Sequence, residues 1–143
     1  MIEVKQISTE DTYKIRLEVL RKNIPKPFKF DGDFDNDTIH LGAYSNNNLI
    51  AVSSYMRVIN SNFKGFQYQL RGMATLEKFQ GLGAGKAMIE KSFLILKNKN
   101  INCIWCNARE IAVPFYKKLG FNIFGSKFDI DYIGTHYVMY KYL

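Results

Sequence analysis

The sequence predicts a mixed α/β fold, with one mostly antiparallel sheet flanked by helices. Three observations lead to it. Apolar and polar residues alternate in short segments between 39 and 75, the signature of a β meander. A long amphipathic pattern follows a glycine-rich loop and runs to Asn98, and a shorter one covers Ile111 to Leu119. An apolar run from Ile101 to Asn107 separates the two, as a buried strand would. The order β-α, meander, α-β-α-β-β fits one domain over residues 1–143. Its 143 residues, 47% hydrophobic and 15% aromatic, suffice for one core and exclude a disordered chain.

Each element has a local reason. Ile2, Val4 and Ile7 nearly alternate with polar residues and open the chain as a strand. Thr9 and Asp11 supply helix-start chemistry. Tyr13, Ile15, Leu17, Val19 and Leu20 then fit a helix to about Lys22, ended by Pro25 and Pro27. The acidic segment Asp31 to Asp37 resembles a calcium loop, but Gly42 stands where the closing Glu should be, so it reads as a solvated loop. If it has a function, its charge would attract a cationic amine. Ile39, Leu41 and Ala43, the turn Asn46-Asn47-Asn48, and Leu49 to about Val58 form a hairpin. Gln67 to Thr75 is the third meander strand, where Gly72 points to a bulge or a close backbone approach. Pro114 sits in the first turn of the second helix and Gly120 just past its end. Two strands, about Asn122 to Ile130 and Thr135 to Tyr142, close the chain.

Charge and cysteine usage narrow the function classes. The net charge of +7 calls for a polyanionic partner or a solvated basic surface. The lysines at 86, 91, 97 and 99 are spread along one helix and its end, so a nucleic-acid patch is not indicated. Cys103 and Cys106 lie on the strand 101–107, where positions i and i+3 point to opposite faces. They read as core thiols, without further ligands for a metal, and fit a reducing cytoplasm. Trp105 beside them reads as core. Met1 to Ser8 mixes charged residues into its apolar pattern and does not read as a signal peptide. No apolar run approaches the roughly 20 residues of a membrane helix. A homodimer is compatible with the sequence, which does not specify an oligomeric state.

The glycine loop Gln80-Gly81-Leu82-Gly83-Ala84-Gly85 lies between a strand and the long helix. Alternate glycines expose backbone N–H groups, and the helix N-terminus adds free donors and positive partial charge. Together they make an anion cradle. A Walker loop is excluded twice, by Gln80 in place of its first glycine and Ala87 in place of its hydroxyl. A dinucleotide fingerprint would need a third glycine at Lys86, and a meander rather than a βαβ unit precedes the loop. What remains is [QR]-x-x-G-x-[GA], met at every fixed position. Alone, it also describes a tight strand-to-helix turn.

This pattern resembles motif A of the GNAT superfamily of N-acetyltransferases. The surroundings extend the likeness. Met73-Ala74-Thr75 is the apolar strand end before the loop. Beyond the helix, Asn107-Ala108-Arg109 is followed by Ala112-Val113-Pro114-Phe115-Tyr116-Lys117-Lys118-Leu119-Gly120-Phe121, which resembles the family's A-x-x-[FL]-Y-x-x-x-G-[FY]. The order of elements matches over essentially the whole chain. Gly134-Thr135-His136-Tyr137-Val138-Met139 resembles small bacterial-type members with a histidine before the last strand.

The resemblance implies a fold whose central strands splay apart, and direct transfer from acetyl-CoA to a primary amine of a small molecule or peptide. It implies that residues 80 to 86 (Gln80, Gly81, Leu82, Gly83, Ala84, Gly85 and Lys86) cradle the pyrophosphate. It places the pantetheine between strands 67–75 and 101–107, with Met73, Thr75 and Asn107 as its partners. A backbone N–H near Met73 or Ala74 would face the carbonyl oxygen. Tyr116 would contact the thioester and act as general acid. Many relatives carry a glutamate base on the strand before the loop, but residues 67 to 75 hold no Asp or Glu. Arg71 would instead hold a substrate carboxylate, and a water chain, Glu110 or His136 would take the proton. His136 also fits a hydrogen-bonded hairpin residue. No metal is called for. The competing readings are a non-catalytic acyl-CoA-binding or regulatory domain of this fold, and a basic nucleic-acid-binding protein.

Overall fold

In the computed structural model, which describes residues 1–143, the alternating segments form β1 (Ile2–Gln6), β2 (Ile39–Ser45), β3 (Asn48–Met56) and β4 (Gln67–Thr75). Each pairs antiparallel with the next. The β2–β3 turn is tight because Asn46 and Asn47 both take positive φ, 49° and 65°, matching the twist of a two-residue hairpin. β5 (Cys103–Arg109) runs parallel to β4, and β7 (Gly134–Tyr142) and β6 (Asn122–Ile130) complete seven strands in the order β1-β2-β3-β4-β5-β7-β6. The mixed, mostly antiparallel sheet is the one the sequence predicts.

Helices cover both faces. The first helical segment, α1, is a 3-10 turn over Glu10–Thr12, an α turn over Tyr13–Ile15 and a π segment over Arg16–Leu20. It stops at Leu20 rather than Lys22, because Arg21 leaves helical geometry and Asn23 is left-handed. Leu17, expected on its apolar side, is exposed. Ile15 packs on Val52 and Ala74. On the opposite face lie α2 (Ala84–Asn98) and α3 (Val113–Lys118), the latter entered through a 3-10 turn at Glu110–Ala112. They bury Ile89, Leu96 and Tyr116 against Leu70, Ile104, Cys106 and Met139. Cys103 and Trp105 fall on the α1 face and Cys106 on the other, as strand alternation requires. The Trp105 indole donates to the Val58 carbonyl at 2.9 Å.

Two features correct or sharpen the sequence reading. The acidic loop is not simply solvated, because Asp33 turns inward. Arg16, with no exposed surface, donates from Nη1 and Nη2 to the Asp33 carboxylate at 2.8 and 2.9 Å. The same guanidinium reaches the Phe28 carbonyl at 3.0 Å and Ser54 Oγ at 2.8 Å, and His40 joins Ser54 at 2.6 Å. Asp33 also accepts the Phe30 amide at 2.8 Å, so the ion pair fixes the loop that carries Phe30. The second feature is a bulge in β4. Val52 opposes Ala74 and Ser54 opposes Arg71, so β4 spends one more residue than β3 over this stretch. Gly72 sits there at φ 62°, and a Cβ on it would come within 2.9 Å of the Phe30 ring and 3.1 Å of Arg16 Nε. Both expectations for Gly72, bulge and close approach, hold.

Candidate active site

The parallel pair β4–β5 holds register only over Gln67↔Cys103, Tyr68↔Ile104 and Gln69↔Trp105. Beyond that the strands part, although β4 continues to Thr75 and β5 to Arg109. Residues 70–75 and 106–109 therefore present unpaired backbone to each other across a gap. A cleft of about 350 Å³ fills it. Among the expected site residues it brings together Arg71, Met73, Asn107, Tyr116 and His136.

The bulge decides which way the β4 side chains point. Regular alternation would put Leu70, Gly72 and Ala74 on one face. With the extra residue, Leu70 and Met73 share the α2 face, while Arg71 and Ala74 take the α1 face. Met73 thus meets α3, where the Tyr116 hydroxyl points at its sulfur, 3.9 Å away. Tyr116 is both core and cleft wall: only 7% of it is exposed, and its ring packs edge-on against Phe115 and Phe121. Burial, then the nearby Cys106 and Tyr55, push its pKa well above the usual phenol value, against the opposing charge of Arg109. The group is a hydrogen-bond donor throughout the neutral range.

The glycine loop stands beside this gap. Gly83 (φ 88°) is the N-cap of α2, and Gly81 has φ 81°. A Cβ at either would meet nothing within 4 Å, so these glycines serve backbone conformation and an open surface, not packing. Gly85 does the opposite job: its missing Cβ lets Phe115 and Met73 approach, linking the loop to the cleft. The amides of residues 81–86 donate no backbone hydrogen bond. Gln80 ties the loop back to the strand, its Nε2 donating to the Thr75 carbonyl at 3.2 Å. Leu82 and Lys86 are exposed, and Ala84 is buried under the first turn of α2.

His136 lies opposite Arg109 in the β5–β7 register and is 4% exposed. Its Nδ1 lies 2.7 Å from the Gly134 carbonyl, which can only accept, so the proton of the neutral ring is on Nδ1 and Nε2 is free to accept one. His136 is thus a hydrogen-bonded hairpin residue, as expected, and it also lines the cleft. Glu110 is exposed and does not line the cleft. Arg21, Phe30 and Arg109 do line it, and sequence reasoning did not single them out. The only signal for the two arginines was the surplus of basic residues, which carries no position, and Phe30 had none.

Comparison with known proteins agrees with this geometry. Residues 3–121 match the model of the acetyltransferase (GNAT) family. The chain is 39% identical over 145 residues to the uncharacterized N-acetyltransferase YitI of Bacillus subtilis (strain 168), covering 100% of this chain and 97% of that one. Its fold is similar to that of Escherichia coli ElaA, with a TM-score of 0.81 and 17% identity over 99% of both chains. It is also similar to the PaiA N-acetyltransferase of Thermoplasma acidophilum in complex with coenzyme A, with a TM-score of 0.72 and 18% identity over 100% and 99% of the two chains. The parted strands, the glycine cradle and a family match running from the first strand to the end of the second motif converge, and this chain belongs to the acetyltransferase (GNAT) family.

Proposed function

We propose that this protein transfers an acetyl group from acetyl-CoA to a primary amine of a small molecule or peptide. The observation that carries the reading is the gap itself. Two strands that pair and then part leave free backbone donors and acceptors, with a phenol on one side and six unpaired amides at the neighbouring helix start. Coenzyme A in the Thermoplasma neighbour supports the donor.

The residues present fit that donor. The amides of 81–86 would hold its pyrophosphate, with Lys86 adding charge in the first turn. The free β4 edge at Met73, Ala74 and Thr75 and the exposed Asn107 would hold its amides, as an added strand is held. Bound there, acetyl-CoA supplies an activated acyl carbon to an attacking amine. A backbone N–H at Met73 or Ala74 stabilises the oxygen that gains charge. Tyr116 donates its hydroxyl proton toward the departing sulfur, for which the Met73 thioether is its present, weak partner. His136 Nε2, directly or through water, accepts the proton that the amine releases.

Thiol release from acetyl-CoA over a panel of amines tests this, with Tyr116→Phe alongside. Turnover is expected, lowered about a hundredfold in the variant with little change in acetyl-CoA affinity. The absence of a carboxylate from the cleft favours a second reading, a CoA-binding domain without catalysis. Calorimetric binding of acetyl-CoA without turnover on any amine selects it, and no binding at all sinks both.

A further inference from the structure

The cleft has two chemically different walls. On the α2 face it is apolar and phenolic, with Met73, Phe115 and Tyr116. On the α1 face it is cationic: Arg21, Lys26, Arg71 and Arg109 line it, and no Asp or Glu does. None of these four basic residues makes an ion pair; the three ion pairs of the chain involve Lys5, Arg16 and Arg57. Like charges gathered on a half-buried wall repel one another and lose hydration. Burial, followed by the charges of Arg109, Arg71 and Arg16, holds the Arg21 guanidinium below its ordinary pKa. Burial, then Arg16, does the same to Arg71, against the weaker pull of Asp33 and Asp31.

Two members of the wall, Arg71 and Arg21, are held by their neighbours. Phe30 contacts both Arg16 and Arg71, whose guanidinium carbons lie 4.1 and 4.4 Å from its ring centre. Arg16 is neutralised by Asp33; Arg71 has neither a carboxylate nor a hydrogen-bond partner. Arg21 is braced by its own loop, Nε donating to the Pro27 carbonyl at 2.9 Å and Nη1 to that of Leu20 at 3.2 Å, which leaves Nη2 unused. An unpaired, preorganised guanidinium fork suits a carboxylate or a phosphate. The glycine cradle opens α2, which packs on the opposite face of the sheet, so the donor's phosphates have their own site.

Resting on the acetyltransferase reading above, we propose that the acceptor is an anionic amine, whose carboxylate or phosphate is clamped by Arg71 with Arg21 and Arg109 while its amine reaches through the gap toward Met73 and Tyr116. The same wall repels an ammonium ion, so it favours the uncharged, nucleophilic form of the bound amine.

Matched acceptors test this with the full chain and acetyl-CoA: phosphoethanolamine against ethanolamine, and β-alanine against β-alaninamide. The anionic member of at least one pair is expected to show kcat/KM about tenfold higher or more, and which pair shows it separates phosphate from carboxylate. Arg71→Met and Arg109→Met are expected to bring that ratio close to one by raising the acceptor KM, and the preference is expected to shrink as salt rises. Equal turnover of charged and neutral amines overturns the inference and leaves the acetyltransferase reading intact. So does a variant that raises the KM for acetyl-CoA instead, which would make the wall part of the donor site. If no amine in the panel reacts, calorimetry with inorganic phosphate and with malonate on CoA-saturated protein decides. Binding lost in Arg71→Met supports the clamp, and no binding of either anion refutes it. A failure to bind CoA removes the reading beneath as well.

Discussion

Replacing Asp33 with Asn tests whether the buried ion pair builds the cleft. Arg16 has no exposed surface and Asp33 is 4% exposed, so water cannot replace a lost partner. The substitution keeps the shape but leaves the Arg16 guanidinium facing an amide. Breaking a buried pair from one side costs about 3–5 kcal/mol. At about 3 °C per kcal/mol for a chain of this size, that is a fall in Tm of roughly 10–15 °C. Urea denaturation of the CoA-free protein reads it as a lower midpoint at unchanged slope. Arg16→Met combined with Asp33→Asn should cost less than the sum of the single changes, because each single change leaves a lone buried charge and the double change leaves none. The pH dependence has a defined sign. Burial raises the Asp33 pKa, but the Arg16 hydrogen bonds, the Phe30 amide and the Arg16 charge lower it further, to a net value below the ordinary one. Its contribution is therefore full above the unfolded carboxyl value of about 4 and is lost as pH falls through the lower, folded value. Asp33→Asn should flatten that acid limb. The reasoning fails if the variant loses less than 1 kcal/mol, or if the double change is additive.

Three further outcomes follow from the geometry. Gly83→Ala places a Cβ at φ 88° in open space, so it should cost only about 1 kcal/mol of stability while raising the KM for acetyl-CoA, both readable on one preparation. Gly72→Ala adds to a similar backbone penalty a 2.9 Å contact with the Phe30 ring; a total loss of about 2–4 kcal/mol is expected, with a raised acceptor KM, and wild-type stability would refute the bulge assignment. Burial pushes the Cys103 thiol up to about 11 and the Cys106 thiol higher still, so neither should react with iodoacetamide at pH 8 until urea unfolds the chain.

The contrast between Gly83 and Asp33 shows which parts of the site were legible in the sequence. Gly81, Gly83 and the Asn107–Phe121 segment lie within local patterns: a positive φ, a helix start and a strand end each leave a residue signature at fixed spacing. Tyr116 was readable for the same reason, since its partners Phe115 and Phe121 are near in sequence. The acidic loop was misread because Asp33 differs from Asp31 or Asp35 only by a partner 17 residues away on α1. Of Arg21, Arg71 and Arg109 the sequence singled out only Arg71, and their grouping into a wall was invisible for a related reason. Arg71 on β4, Arg109 on β5 and Arg21 just past the end of α1 become one site only when β4 and β5 part and α1 crosses above them. A bulge at Gly72 was foreseeable, but its consequence, Met73 and Arg71 on opposite walls, needed the register.

The missing carboxylate on β4 and the cationic wall account for each other. A glutamate among residues 70 to 74 on the α1 face would lie beside Arg71 and near Arg109. It would be drawn into an ion pair, its pKa would fall, and it would be a poor proton acceptor near neutrality. In the proposed reaction the wall would make such a base unnecessary by shifting the problem to the substrate. An amine held among guanidinium groups loses its proton more readily, and in the proposed reaction His136 Nε2 or a water would then suffice to receive it. The anion of the proposed substrate would limit the effect. It would offset part of the positive field at the wall, so in the proposed pose the amine would project past the clamp, toward the phenolic side, to keep its nucleophilicity. The split in the sheet has that geometry: charge on the α1 face, sulfur and phenol on the α2 face, and the unpaired backbone of Leu70 to Thr75 between them.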